Sequence, residues 1–147
     1  MSTYTFSTWM YANLLYPLVF FFFIGGRLDD VSSGLAFLFP FLFFTILLSL
    51  PSLLLSYILM QGIIVLRASA DVKFIGWLLS APVVVIANFI IICFLIFRED
   101  IVSSNFWPIV NPAMIAVAVV ILLRYKSFYT ALNNLTDNQL SKEGEPS

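Results

Sequence analysis

The chain has 147 residues, of which 61% are hydrophobic and 10% charged, and its formal net charge is −1. Soluble domains carry about 25% charged residues, so this composition indicates a membrane protein in which one membrane domain uses nearly the whole length. The charge excludes a basic face for nucleic acid, and the absence of histidine together with a single cysteine excludes histidine-ligated haem and paired-thiol redox chemistry.

The first predicted span covers residues 9–26. Trp9, Tyr11 and Tyr16 are aromatic side chains of the kind that concentrates at membrane interfaces. Two consecutive glycines end the apolar segment, and a short charged loop follows. We therefore expect a short transmembrane helix that begins near Trp9.

The second predicted span, residues 36–66, lies in the longest apolar stretch, since positions 35–66 contain no charged residue. A continuous helix of that length would extend about 48 Å, against about 30 Å for the hydrocarbon core. Pro40 fits a first helical turn, which places the helix start between residues 35 and 39. Pro51 lies in the middle and removes a backbone hydrogen bond, so the sequence predicts a kink there.

Four hydroxyl residues recur at helical spacing around this kink: Thr45, Ser49, Ser52 and Ser56. Their spacing places all four on one helix face. We favour the interpretation that this face is a packing seam, because small hydroxyl residues let helices approach closely and hydrogen-bond to each other. The alternative is a hydrophilic lining for a pathway or a small ligand.

The third predicted span covers residues 74–97. Its small residues form a second candidate seam at helical spacing: Gly76, Ser80, Val83 and Ala87. Asn88 is the most polar residue deep in this span, and we expect it to hydrogen-bond to another helix.

The fourth predicted span covers residues 106–123. We expect residues 124–135 to form an amphipathic extension at the membrane surface, because apolar side chains recur there every three to four residues. Residues 136–147 are polar and contain almost no apolar side chain, which predicts a disordered cytoplasmic tail.

The sequence thus predicts an all-α integral membrane protein with four transmembrane helices in an antiparallel bundle. Four spans place both termini on one side of the membrane, together with most of the basic residues: Arg67, Lys73, Arg124, Lys126 and Lys142. The other side holds Arg27 and Arg98. By the positive-inside rule this asymmetry predicts cytoplasmic termini, and we expect a plasma (inner) membrane location.

The two predicted outer loops are similar to each other, since Arg27-Leu28-Asp29-Asp30-Val31-Ser32-Ser33 aligns with Arg98-Glu99-Asp100-Ile101-Val102-Ser103-Ser104. One interpretation is a duplicated hairpin, and the other is convergence on residues that suit any short outer loop. The charged loop residues form a candidate surface for a cation or a basic partner: Arg27, Asp29, Asp30, Arg98, Glu99 and Asp100. We favour the other interpretation, in which these residues form local ion pairs with one another at the water interface. Such pairs contribute little energy.

No predicted span contains a charged residue, which excludes proton relays, voltage sensors and most ion-coupled transporters. We therefore predict a non-catalytic protein without metal or cofactor, which acts through helix and outer-loop contacts as an accessory or assembly subunit, or as an immunity-type inhibitor, of a membrane partner. Its partners are then the lipid bilayer and either another membrane protein or a second copy of itself. The alternative is a channel or transporter protomer for a neutral or apolar solute. An enzyme that uses the outer-loop carboxylates is the weakest hypothesis.

Overall fold

The computed structural model describes residues 1–23, 31–94 and 106–143, which form six helices and no strand. In chain order the helices are α1 (Ser2–Phe23), α2 (Val31–Leu48), α3 (Leu50–Val65), α4 (Ala70–Ile92), α5 (Phe106–Leu123) and α6 (Tyr125–Glu143). The predicted all-helical class is confirmed for these residues.

Two single helices, α1 and α4, are long and apolar enough to cross a membrane. Two bent pairs satisfy the same conditions when each pair is taken as one span: Phe39–Leu48 with Leu50–Val65, and Trp107–Leu123 with Tyr125–Thr136. The described residues therefore contain between two and four candidate spans. Four spans, the antiparallel arrangement and the side of the termini stay predictions.

Helix α1 begins at Ser2, earlier than the predicted start near Trp9. The polar residues before Trp9 fit into the helix because their hydroxyls bond to carbonyls of the preceding turn. Thr8 Oγ1 donates to the Tyr4 carbonyl at 2.8 Å, and Ser7 Oγ donates to the Thr3 carbonyl at 2.7 Å.

The segment that the sequence predicts as one kinked span, residues 36–66, is divided at Ser49 into α2 and α3, and whether this pair forms one span stays a prediction. The two helices meet at 46°, and α2 already begins at Val31. Pro51 explains where the division falls. It lies in the first turn of α3, where its missing N–H and the bulk of its ring prevent the preceding helix from continuing.

Helix α6 turns 61° away from α5 and continues to Glu143, which includes the first part of the predicted tail, and the disorder of that tail stays a prediction. The last residues of α6 include glutamine, leucine, lysine and glutamate, which are good helix formers. Phe128 anchors α6, since its ring is 0% exposed and makes edge contacts with Tyr4 and Phe74 at centroid distances of 5.6 and 5.5 Å. This aromatic cluster closes one end of the bundle.

Replacing Phe128 with alanine should lower the free energy of unfolding by about 3 kcal/mol, because it removes a fully buried ring and leaves a cavity. Thermal unfolding in a mild detergent measures the change. Leu135→Ala on the same helix is the matched control and should have a much smaller effect, since Leu135 is only partly buried. Equal losses in the two variants would contradict the anchoring role of Phe128.

A candidate ligand cavity between the helices

A cavity of about 520 Å³ lies inside the bundle and is partly open at its surface. Residues of α1, α2, α3, α4 and α5 line it, and most of the lining side chains are apolar. Phe44, 61% exposed, belongs to the lining and marks the open rim.

The bend at Ser49 explains why this space is not filled. Helix α3 packs along α4 and also contacts α1, whereas α2 contacts α1 and makes no comparable contact with α4 in the described part of the chain. The two halves of the divided segment thus share α1 as a neighbour, but α3 alone packs along α4. Since α1 and α4 have no extensive contact with each other either, the described helices enclose the cavity between them.

A polar cluster of Trp9, Asn13, Ser49 and Ser52 fixes the bend. The Ser49 carbonyl accepts hydrogen bonds from Trp9 Nε1 at 3.1 Å and from Ser52 Oγ at 2.6 Å. The Ser49 hydroxyl donates to Asn13 Oδ1 at 2.8 Å, with the Ile46 carbonyl at 3.0 Å as an alternative acceptor. Asn13 Nδ2 donates to the Trp9 carbonyl at 2.9 Å, so α1 supplies partners to the backbone and side chain of the bend.

The predicted hydroxyl face of the second span lines the cavity, since Thr45, Ser49, Ser52 and Ser56 all belong to its wall. Two of these hydroxyls bond only to carbonyls of nearby residues in the same segment. Thr45 Oγ1 donates to the Phe41 carbonyl at 2.7 Å, and Ser52 bonds to the Ser49 carbonyl as described. Only the Ser49 hydroxyl reaches another helix. The face therefore combines both interpretations: a seam at Ser49 and a cavity lining along its length.

Asn88 also lines the cavity. The sequence predicts a hydrogen bond from this residue to another helix, but its side-chain carbonyl oxygen forms none with the described residues. The residue is 5% exposed, and Oδ1 has no hydrogen-bond partner among the described residues. A buried amide oxygen without a partner costs about 1–3 kcal/mol, so its position in a ligand-sized cavity calls for an explanation. The terminal torsion of an asparagine rotates easily, which lets either amide atom face the cavity.

In the part of the chain that the structure describes, two other buried polar atoms lack a partner, Tyr4 Oη and Trp77 Nε1. Trp77 lines the cavity, and Tyr4 belongs to the aromatic cluster beside it. The tyrosine hydroxyl interacts with both Thr8 and Trp77, although neither approach has the geometry of a full hydrogen bond. The Tyr4 hydroxyl and the Trp77 indole N–H therefore interact with each other in part, whereas no described residue interacts in this way with Asn88 Oδ1.

The predicted seam on α4 does not pack inside the chain. Gly76 and Ser80 are absent from the cavity lining, and Ser80 Oγ donates to the Trp77 carbonyl of its own helix at 2.8 Å. No atom lies within 4 Å of the position that a Cβ would take at Gly76, and Val83 is 62% exposed. The larger side chains on the opposite face of α4 pack inward instead, which turns the small residues outward.

The sequence interpretation did not identify the cavity face of α1. Its members lie at helical spacing along one side: Thr5, Thr8, Trp9, Ala12, Asn13 and Tyr16. The Tyr16 hydroxyl donates to the Ile109 carbonyl of α5 at 3.3 Å. The sequence does show small, polar and aromatic residues at helical spacing along this face. The predicted helix began at Trp9, however, so Thr5 and Thr8 were not counted as part of it.

The candidate outer-loop surface lies outside the described residues: Arg27, Asp29, Asp30, Arg98, Glu99 and Asp100. The aligned loop segments belong to the same two gaps, except for positions 31–33 at the start of α2. Within residues 1–23, 31–94 and 106–143, no cluster of three or more metal-ligating side chains occurs.

No protein-family model, curated protein or solved structure matches this chain.

The cross-helix bond between Asn13 and Ser49 should appear as an energetic coupling in a double-mutant cycle. Asn13→Ala and Ser49→Ala together should differ from the sum of the single changes by about 1 kcal/mol, as interhelical hydrogen bonds in membranes do. Thermal unfolding of the four proteins in detergent gives this value. Thr45→Ala with Asn13→Ala is the matched control and should be additive, because the Thr45 hydroxyl bonds to its own helix; full additivity for both pairs would refute the cluster.

Proposed function

We propose that this chain is a non-catalytic membrane protein that binds a neutral, largely apolar molecule in the cavity between α1 and α4, as a carrier or channel protomer. The main support is the cavity itself. Its volume of about 520 Å³ falls in the range of about 300–1,000 Å³ that is typical of small-molecule sites. Apolar walls with a few convergent polar groups are also typical of such sites.

The charge of the lining defines the class of ligand. None of the described residues that line the cavity is a lysine, arginine, aspartate or glutamate. An ion buried there would lose its hydration without gaining a counter-charge, which costs far more than burial of a neutral group. A neutral ligand with an apolar body is therefore favoured.

Asn88 indicates what the polar end of that ligand carries. Its Oδ1 atom needs a hydrogen-bond donor, and hydroxyls line the same cavity at Ser52 and Ser56. A hydroxyl or amide group both donates and accepts, so it pairs with such a mixed set. We propose a long-chain alcohol or a similar neutral amphiphile.

The proposed setting is the one that the sequence favours: four spans in an antiparallel bundle, with both termini cytoplasmic in a plasma (inner) membrane. The exposed Phe44 at the cavity rim supports entry of the ligand from the lipid phase. An apolar molecule concentrates in the bilayer, so a side opening spares it a passage through water.

The single cysteine provides a direct test, because Cys93 lines the cavity. Dodecanol should slow the alkylation of Cys93 by N-ethylmaleimide, whereas dodecanoate and dodecylamine at the same concentration should not, since both carry a charge. Intact-mass measurement follows the alkylation. Equal protection by the three compounds, or none by dodecanol, would contradict the proposal. The control moves the cysteine to the exposed outer face of α4 (Cys93→Ala with Val83→Cys), where dodecanol should have no effect.

Asn88→Leu should separate binding from stability. We expect unchanged or higher thermal stability, because leucine removes a buried amide whose oxygen has no partner, and at least a tenfold weaker protection of Cys93 by dodecanol. Val83→Leu on the exposed face of the same helix is the control and should change neither quantity. A marked loss of stability in Asn88→Leu would show that the amide is structural rather than ligand-binding.

The second candidate function is that of an accessory or assembly subunit, or of an inhibitor, of a membrane partner. The outward face of α4 favours it, because Gly76 and Val83 offer another helix a close approach. Small residues at such positions are typical of helix contacts in membranes.

Gly76→Phe tests this candidate, because no atom lies within 4 Å of the position that a Cβ would take at Gly76. Native mass spectrometry should show that the variant loses a stoichiometric partner or its second copy. Gly62→Phe is the matched control, because Gly62 on α3 also has no atom within 4 Å of its Cβ position. An assembly that persists in Gly76→Phe would exclude this face.

A further inference from the structure

A second, separate depression lies on the outer surface of the bundle, where α1 passes the junction of α5 and α6. It is an open groove of about 560 Å³. Its walls are aliphatic, and a basic residue lies at one end: Leu14, Leu15, Leu18, Val120, Leu123 and Arg124. Leu18 and Leu123 are 52% and 79% exposed, so the groove faces the surroundings of the protein rather than its interior.

Neighbouring side chains hold the Arg124 guanidinium in a fixed position. Nη1 donates to Ser7 Oγ at 2.5 Å and to Thr8 Oγ1 at 3.2 Å. The guanidinium carbon lies 5.1 Å from the Tyr4 ring centroid and 5.2 Å from that of Tyr11, which are cation–π distances. The arginine is therefore ordered before any ligand arrives.

The remaining donors of Arg124 are the feature that needs a partner. A guanidinium has five N–H groups, and the two on Nη1 are the ones that bond to Ser7 and Thr8. The N–H groups of Nε and Nη2 have no acceptor among the described residues, and no carboxylate there forms an ion pair with Arg124. These two nitrogens form the planar fork that binds two oxygens of one phosphate.

We propose that this groove binds an anionic glycerophospholipid, whose phosphate pairs with Nε and Nη2 of Arg124 while one acyl chain lies along the leucine walls. A positive charge continuous with an apolar channel matches a molecule that is anionic at one end and aliphatic along its length. A soluble phosphate would use the arginine but gain nothing from the walls. In the proposed orientation Arg124 lies at the cytoplasmic leaflet, where anionic lipids concentrate.

Native mass spectrometry of the full chain in a mild detergent tests this proposal. Phosphatidylglycerol should bind about fivefold more tightly than phosphatidylcholine with the same acyl chains, since the choline cation cancels the attraction to Arg124. Glycerophosphoglycerol, the same head group without chains, should show no binding at lipid concentrations. Binding of the head group alone as strongly as the lipid would overturn the proposal.

Arg124→Gln should abolish the preference for phosphatidylglycerol, whereas Lys126→Gln should keep it, because Lys126 is exposed but lies outside the groove. Arg124→Lys keeps the charge but loses the planar fork, and should retain less than half of the preference. An unchanged preference in Arg124→Gln would contradict the site.

A second variant avoids the contacts of Arg124 with α1, in case their loss prevents folding. Leu18→Trp fills the groove from an exposed position and leaves the arginine intact. It should reduce phosphatidylglycerol binding to the level of phosphatidylcholine. An unaltered phosphatidylglycerol affinity in this variant would exclude the groove as the binding site, whatever the behaviour of Arg124→Gln.

Discussion

The structure depends on the hydrogen bonds that hold the break in the second apolar segment. Inside a membrane only the protein itself supplies partners to polar groups at such a break. Here the Ser49 carbonyl keeps its helical bond from the Leu53 N–H and also accepts from Trp9 and Ser52, while Asn13 accepts from the Ser49 hydroxyl. Pro51 explains the position of the break, but these partners make one bent geometry stable.

The bent geometry has a direct consequence for the interior. Because α3 packs along α4 while α2 diverges from α4 and contacts α1, the helices enclose an apolar cavity with polar groups on several of its walls. Hydroxyl and amide side chains from several helices line this cavity together, and in the proposed function they bind the polar end of the ligand. The side-chain oxygen of Asn88 fits the same proposal, because a neutral hydrogen-bond donor bound in the cavity would supply the partner that this oxygen lacks among the described residues.

The helical class, the hydroxyl face and the effect of Pro51 followed from local patterns of residue type and spacing. The sequence could not decide whether the hydroxyl face is a packing seam or a cavity lining, because the two differ only in the direction in which α2 leaves Ser49. The partner of the Gly76 face could not be predicted for a related reason, and its role as a helix contact stays a prediction. A face of small residues predicts a contact, but the larger Trp77 and its neighbours on α4 determined which face points inward. The polar face of α1 was missed because Thr5 and Thr8 bond to their own helix, which makes a polar segment helical.

The most direct test of the cavity as a binding site is to identify what the protein carries when it is extracted from its own membrane. Native mass spectrometry with dissociation of the released molecule gives its mass and charge. We predict a single neutral molecule with a long apolar body and a hydroxyl or amide group, which is absent from Asn88→Leu. A charged molecule, or the same molecule at equal occupancy in Asn88→Leu, would contradict the proposal that the cavity between α1 and α4 is a neutral ligand site.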